Sequence, residues 1–223
     1  MSAATKKKRV AVLISGRGSN MLSLMAAARS ADYPAEIALV FSNKPDAAGL
    51  ATAKEAGIAT AALFHKDFGS REDFERAMQD ILLAHNIDLV CLAGFMRLLT
   101  PWFVEQWTGR MINIHPAILP SYKGLHTHER ALADGVKLHG ATVHFVVPEM
   151  DAGPIIAQAA VPVVDGDTPA TLGARVLTQE HIIYPLALKL VASGQAKLVD
   201  GKVLTGEVSN VNTLVVPTPS LRA

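Results

Sequence analysis

Apolar positions along the chain fall into two alternating rhythms. Short continuous runs at residues 10–15, 36–42, 59–64 and 88–93 read as strands buried on both faces. Between them, residues 20–29, 47–56 and 71–85 carry apolar positions at helical spacing, the last stretch opened by Ser70 as an N-cap. Strand and helix in strict turn predict βαβ construction, hence an α/β fold with a mostly parallel central sheet flanked by helices. The second half predicts a strand at 111–115, a long loop, strands at 141–147 and 155–163, and a helix from Thr168-Pro169 to about residue 191. Residues 196–199 and 202–204 then read as a hairpin turning at Asp200-Gly201. There is no internal repeat and no interdomain linker, and the tail beyond Gly206, with Pro217 and Pro219, reads as loose.

The strand at 111–115 brings in chemistry. Side chains two apart on a strand share a face, so Asn113 and His115 are neighbours while Ile112 and Ile114 face away. Pro116 ends the strand, leaving both polar groups at its C-terminal mouth, where open α/β sheets bind ligands. An Asn amide and an imidazole can both stabilise an oxyanion, and a nearby carboxylate would orient the ring and favour its protonated form. Asp151, in Asp151-Ala152-Gly153-Pro154, is the best candidate for that carboxylate. No covalent nucleophile accompanies the three, which suits acyl transfer between small molecules. Each residue alone also has a structural explanation: backbone satisfaction for Asn and His, turn formation for Asp.

A second motif, Gly16-Arg17-Gly18-Ser19-Asn20, follows the first strand and opens the first helix, making its N–H groups a candidate phosphate cradle. Met21 stands where a dinucleotide fingerprint has its third glycine, which argues against a nicotinamide cofactor. Read as structure alone, the motif is a tight turn with Asn20 as helix cap.

Composition narrows the classes further. The 223 residues, 50% hydrophobic, suffice for a sizeable core without metal or disulfide staples. A net charge of +1 from 21 basic and 20 acidic residues gives no polyanion signature, so nucleic acid is not an expected partner. The single cysteine, Cys91, lies in an apolar run and reads as core. With no long apolar segment, a cytoplasmic protein is expected, with no membrane partner. Lys6-Lys7-Lys8-Arg9 reads as a solvated tail rather than an address signal. His126, His128, His139 and His144 match no metal-ligand spacing, so no metal is expected; His126 and His128 are expected to shape the loop after Gly124 beside the substrate.

From Arg9 to about Leu204 the chain resembles the phosphoribosylglycinamide formyltransferases, folate-dependent enzymes of purine biosynthesis. The resemblance rests on Leu13-Ile14-Ser15-Gly16-Arg17-Gly18-Ser19-Asn20, Ala93-Gly94-Phe95-Met96-Arg97, Asn113-Ile114-His115-Pro116, Gly124-Leu125-His126-Thr127-His128 and Thr178-Gln179-Glu180-His181, in that order and spacing. It implies a Rossmann-like formyltransferase fold: a flexible basic tail over 1–8, one catalytic domain over 9–205 and an extension over 206–223. It implies that Asn113, His115 and Asp151 are catalytic and that the formyl donor is 10-formyltetrahydrofolate, a co-substrate. The acceptor that the resemblance implies is the primary amine of glycinamide ribonucleotide, which would be held at its phosphate by Gly18, Ser19 and Asn20 and at its ribose by Glu180, with Gln179 nearby. Leu177 stands where family members often carry a polar side chain, so Gln179 or Arg175 is a candidate to compensate. For the folate, the resemblance points to Met96, Arg97, Leu98, Leu99 and Arg71, to Leu92 and Val146 as apolar walls, and to Val147, Pro148, Glu149, Met150, Asn113 and Asp151. A monomer or weak homodimer is implied.

Two other readings fit parts of this pattern. A formyltetrahydrofolate hydrolase could aim water at the same carbon, but such enzymes usually carry an N-terminal regulatory domain, and here the first strand begins almost at once. A noncatalytic nucleotide sensor would need only the glycine-rich loop, and leaves Asn113, His115 and Asp151 unexplained.

Overall fold

A strand can be apolar on both faces only where both are covered, and β1 (Lys8–Ile14) meets that condition: Val10, Ala11, Val12, Leu13 and Ile14 are fully buried. The computed structural model describes residues 6–206 and the backbone of 215–216. The chain divides into two compact units, Met1–Ile112 and Asn113–Ala223.

In the first unit β1 pairs in parallel with β2 (Ala35–Ser42) on one side and β4 (Leu89–Leu92) on the other, and β2 pairs in parallel with β3 (Ala59–Ala62). Parallel neighbours need crossovers, supplied by α1 (Ser19–Ala28), α2 (Ala48–Glu55) and α3 (Arg71–Ala84). Helix α3 starts where the sequence places it, with Ser70 Oγ accepting from the Asp73 N–H at 3.0 Å. Strand β3 is shorter than expected because the chain turns into a single 3-10 turn, His65–Asp67. A further helix, α4 (Pro101–Gln106), was not expected; Thr100 caps it and Pro101 occupies its first turn. Cys91 is fully buried in β4.

The last three residues of β5 (Met111–His115) open the second unit. After a loop and the unpredicted α5 (Thr127–Ala133), β6 (Leu138–Phe145) pairs antiparallel with β7 (Ile155–Pro162), and α6 (Pro169–Ala192) packs across both. Strand β6 begins three residues before the expected start and stops at Phe145, so Val146 and Val147 belong to the following loop. Its start was hidden by His139 and Gly140, polar or small in sequence yet buried against β7. The hairpin of β8 (Ala196–Val199) and β9 (Lys202–Thr205) turns at Asp200-Gly201 as expected. Most of the tail expected to be loose lies outside the described residues; within it β10 (Val215–Val216) pairs antiparallel with β7. Among the described residues no helix is long and apolar enough to cross a membrane.

Candidate active site

Alternation along β5 works as the sequence implies: Ile112 and Ile114 are 2% and 7% exposed on one side, and Asn113 and His115 share the other. His115 is buried, and both its ring nitrogens meet protein groups. Nε2 lies 2.9 Å from the Tyr122 carbonyl, which can only accept, so that nitrogen carries a proton. Nδ1 faces Asp151 Oδ2 at 3.4 Å, the same oxygen accepting from the Gly124 N–H at 2.8 Å. Two non-glycine residues adopt left-handed backbone to make this possible. Tyr122 (φ 57°) turns its carbonyl to the ring, and Asp151 (φ 50°) turns its carboxylate inward. The expectation that His115 donates directly to a reacting oxygen therefore meets a different arrangement, in which both ring nitrogens are directed at protein acceptors.

His144, which the sequence reading considered only as a metal ligand, completes the cluster. Its Nδ1 lies 2.8 Å from the Phe145 carbonyl and so carries the proton, leaving the Nε2 lone pair facing Asn113 Nδ2 at 3.2 Å and Asp151 Oδ1 at 3.9 Å. Burial pushes the His144 pKa down, aided by His115, against the opposing pull of the Phe145 carbonyl and Asp151. A neutral His144 can only accept from Asn113, so it fixes the amide with nitrogen toward the ring and keeps one N–H free. The signal was present in sequence: Thr142 and His144 alternate on an expected strand that runs straight into Asp151.

The Asp151-Ala152-Gly153-Pro154 motif sets this geometry. The pairing of β6 with β7 slips at Val143/His144, and the Phe145 N–H donates to the Pro154 carbonyl at 2.9 Å. Any Cβ at Gly153 would collide with the Phe145 carbonyl, the group that fixes the His144 tautomer. Below the site, Thr142 Oγ1 donates to the Ala117 carbonyl at 2.7 Å and accepts from the Leu119 N–H at 3.0 Å, tying down the chain after β5.

The remaining histidines divide. His126 is exposed, with left-handed backbone, at the N-cap of α5. His128 turns inward, Nδ1 3.1 Å from Nε2 of the buried His139, whose pKa burial pushes down to about 4. Among the described residues, no three His, Cys, Asp or Glu side chains are grouped to hold a metal.

In the second unit, the loop from Val146 to Asp151 leaves Pro148, Glu149 and Met150 exposed, with Glu149 paired to Lys123 at 3.0 Å. On α6, Glu180 is buried, Leu177 and Gln179 are partly exposed, and Arg175 is engaged by both Asp167 oxygens at 2.8 and 2.9 Å. That commitment removes Arg175 as a ready substitute for a polar side chain at Leu177.

In the first unit, Gly18, not Asn20, is the N-cap of α1, with left-handed φ 76°. Asn20 lies inside the first turn and is buried, because the chain turns two residues earlier than a cap at Asn20 requires. The first turn holds no acidic residue, so its positive end is uncompensated by the helix itself. Leu92 is buried at the end of β4, Met96 and Leu98 are 65% and 60% exposed, Arg97 and Leu99 are partly exposed, and Arg71 is exposed at the first position of α3.

A formyl transferase family model matches residues 8–188. The phosphoribosylglycinamide formyltransferase of Escherichia coli K12 is 48% identical over 189 residues, 85% of this chain and 89% of that protein. The trifunctional purine biosynthetic protein adenosine-3 of Homo sapiens is 53% identical over 193 residues, 86% of this chain, and the chain spans only 19% of that protein's length. Among solved structures, the phosphoribosylglycinamide formyltransferase of Brucella melitensis superposes with a TM-score of 0.82 at 54% identity, covering 85% of this chain and 97% of that one.

Proposed function

The chain belongs to the formyl transferase family, and on that premise we propose that it transfers the formyl group of 10-formyltetrahydrofolate to the primary amine of glycinamide ribonucleotide. The observation that carries this reading is the Asp151 carboxylate set against the rings of both His115 and His144, with Asn113 held by His144. None of these groups is a hydroxyl or thiol, so the cluster supports direct transfer and no formyl-enzyme. The amine's lone pair forms the new C–N bond while the carbonyl π pair moves onto oxygen. Asn113's free N–H hydrogen-bonds that oxygen, and His115, its ring held between the Tyr122 carbonyl and the Asp151 carboxylate, assists by keeping Asp151 in position. Collapse breaks the bond to the folate nitrogen, and the proton lost by the amine reaches that nitrogen through Asp151 and water. In this reading Gly18, Ser19 and Asn20 bind the acceptor's phosphate and Gln179 and Glu180 its ribose. The donor lies against Arg71, Leu92, Met96, Arg97, Leu98 and Leu99, and against Val146 through Asp151.

The test is product analysis with and without glycinamide ribonucleotide. Transfer predicts formylated ribonucleotide and tetrahydrofolate in equal amounts, and no tetrahydrofolate when the acceptor is omitted. Acceptor-independent release would establish hydrolysis instead, and no turnover of either kind would support a binding module. Asp151→Asn, which keeps shape but cannot take up the proton, is expected to lower kcat about 10²- to 10⁴-fold.

A further inference from the structure

Residues 96–100 leave β4 without regular structure, yet both ends are tied by buried side chains from distant parts of the first unit. At the near end the Met96 N–H donates to Ser15 Oγ at 2.8 Å, and the Ser15 hydroxyl proton goes to Asn43 Oδ1 at 2.6 Å. Ser15 and Asn43 are 7% and 2% exposed, and the Ser15 N–H also donates to the Gly94 carbonyl at 3.1 Å. At the far end the Thr100 N–H donates to Glu75 Oε1 at 2.9 Å, and the Thr100 hydroxyl donates to Glu75 Oε2. Glu75 is 1% exposed.

Capping α4 does not explain this arrangement. Thr100 Oγ1 accepts from the Phe103 N–H and satisfies the cap alone, whereas a buried carboxylate is a costly addition to a six-residue helix. Burial raises the Glu75 pKa, opposed by the Thr100 bonds and by Arg71. Along the segment Met96 and Leu98 turn outward and are among the most exposed large hydrophobic residues described, while the Arg97 guanidinium lies over the Phe74 ring, 5.1 Å from its centroid, and Phe74 and Phe95 both meet Phe41.

We propose that Ser15 and Glu75 are positioning residues for the formyl donor, fixing residues 96–100 at both ends so that Met96 and Leu98 form a preordered apolar shelf. Neither side chain need touch the ligand. Preordering removes the entropy cost of arranging the segment on binding, so the effect falls on donor affinity. The proposal rests on the reading of residues 96–99 as donor-binding.

The test compares Ser15→Ala, Thr100→Val and Thr100→Ser with the parent. Tetrahydrofolate and glycinamide ribonucleotide dissociation constants are measured separately, together with hydrogen exchange at the Met96 and Thr100 amides. Ser15→Ala, which unties the Met96 amide, and Thr100→Val, which removes the hydroxyl tie and leaves Glu75 held by the residue-100 N–H alone, should each weaken tetrahydrofolate about fivefold to tenfold, speed exchange at the amide of the affected end, and leave ribonucleotide affinity within about twofold. Thr100→Ser, which keeps the hydroxyl, should restore parental values. Parental tetrahydrofolate affinity in both disrupted variants, or equal loss of tetrahydrofolate and ribonucleotide binding, overturns the proposal. Met96→Ala and Leu98→Ala separate it from the underlying reading. If they too leave tetrahydrofolate binding unchanged, the donor-segment assignment has failed; if they weaken it while Ser15→Ala and Thr100→Val do not, only the positioning role has failed.

Discussion

At the scale of single residues, His144 decides which way the Asn113 amide faces. Its tautomer follows from one carbonyl, Phe145, and its neutrality from burial. On the proposed mechanism, in which Asn113 donates to the oxyanion, Asn113→Ala should cost about 10²- to 10³-fold in kcat. His144→Leu keeps the volume but loses the acceptor, so the amide is free to rotate and kcat should fall about tenfold or more, with little change in KM. Because both changes act on the same hydrogen bond, the double variant should be scarcely worse than Asn113→Ala alone. Steady-state kinetics on the four proteins check this, and fully additive losses would mean that His144 acts independently of Asn113. That Asn113 and His115 share a face was legible from strand periodicity, whereas Asp151, which no periodicity links to them, was named beside them through the resemblance, and the fold brings its carboxylate to the His115 ring. The proton positions were not legible, since they depend on carbonyls supplied by Tyr122 and Phe145.

At the scale of elements, the sequence identified those long enough to show a rhythm. Helices α3 and α6 span 14 and 24 residues, and each starts at its expected cap, Ser70 or Thr168. Helices α4 and α5 have six and seven residues, too few for periodicity to stand out from the loops around them. The junction of β6 and β7 is where element and site meet. Gly153→Ala forces a methyl against the Phe145 carbonyl, so β7 must move away from β6 or the Phe145 peptide must rotate. The expected cost is about 1–3 kcal/mol by urea denaturation, with a loss of kcat because Asp151 and the His144 tautomer are displaced together. Unchanged stability and kcat would show that this contact yields without strain.

At the scale of the whole molecule, stability should depend on pH through His139. Its folded pKa, about 4, lies below the ordinary value of 6.5, so between those limits the unfolded chain holds a proton that the folded chain excludes. Stability from this group is therefore complete above about pH 6.5, falls as pH drops, and is fully lost below about pH 4, a change on the order of 1–3 kcal/mol. Denaturation midpoints of the parent and His139→Gln across this range check the sign: the parent should lose more stability on acidification. Equal pH dependence in the two proteins would remove His139 as the cause.

The sequence by itself determined the α/β class, the parallel run of the first unit, the long helices and the identity of the polar groups on β5. These depend on local periodicity and capping, which are properties of neighbours along the chain. Tertiary structure alone decided that Gly18 caps α1, that His144 governs Asn113, that both nitrogens of His115 are committed, and that Ser15 and Glu75 hold residues 96–100. Each of these depends on a hydrogen bond or backbone angle fixed by packing, and only the folded chain brings those partners within reach.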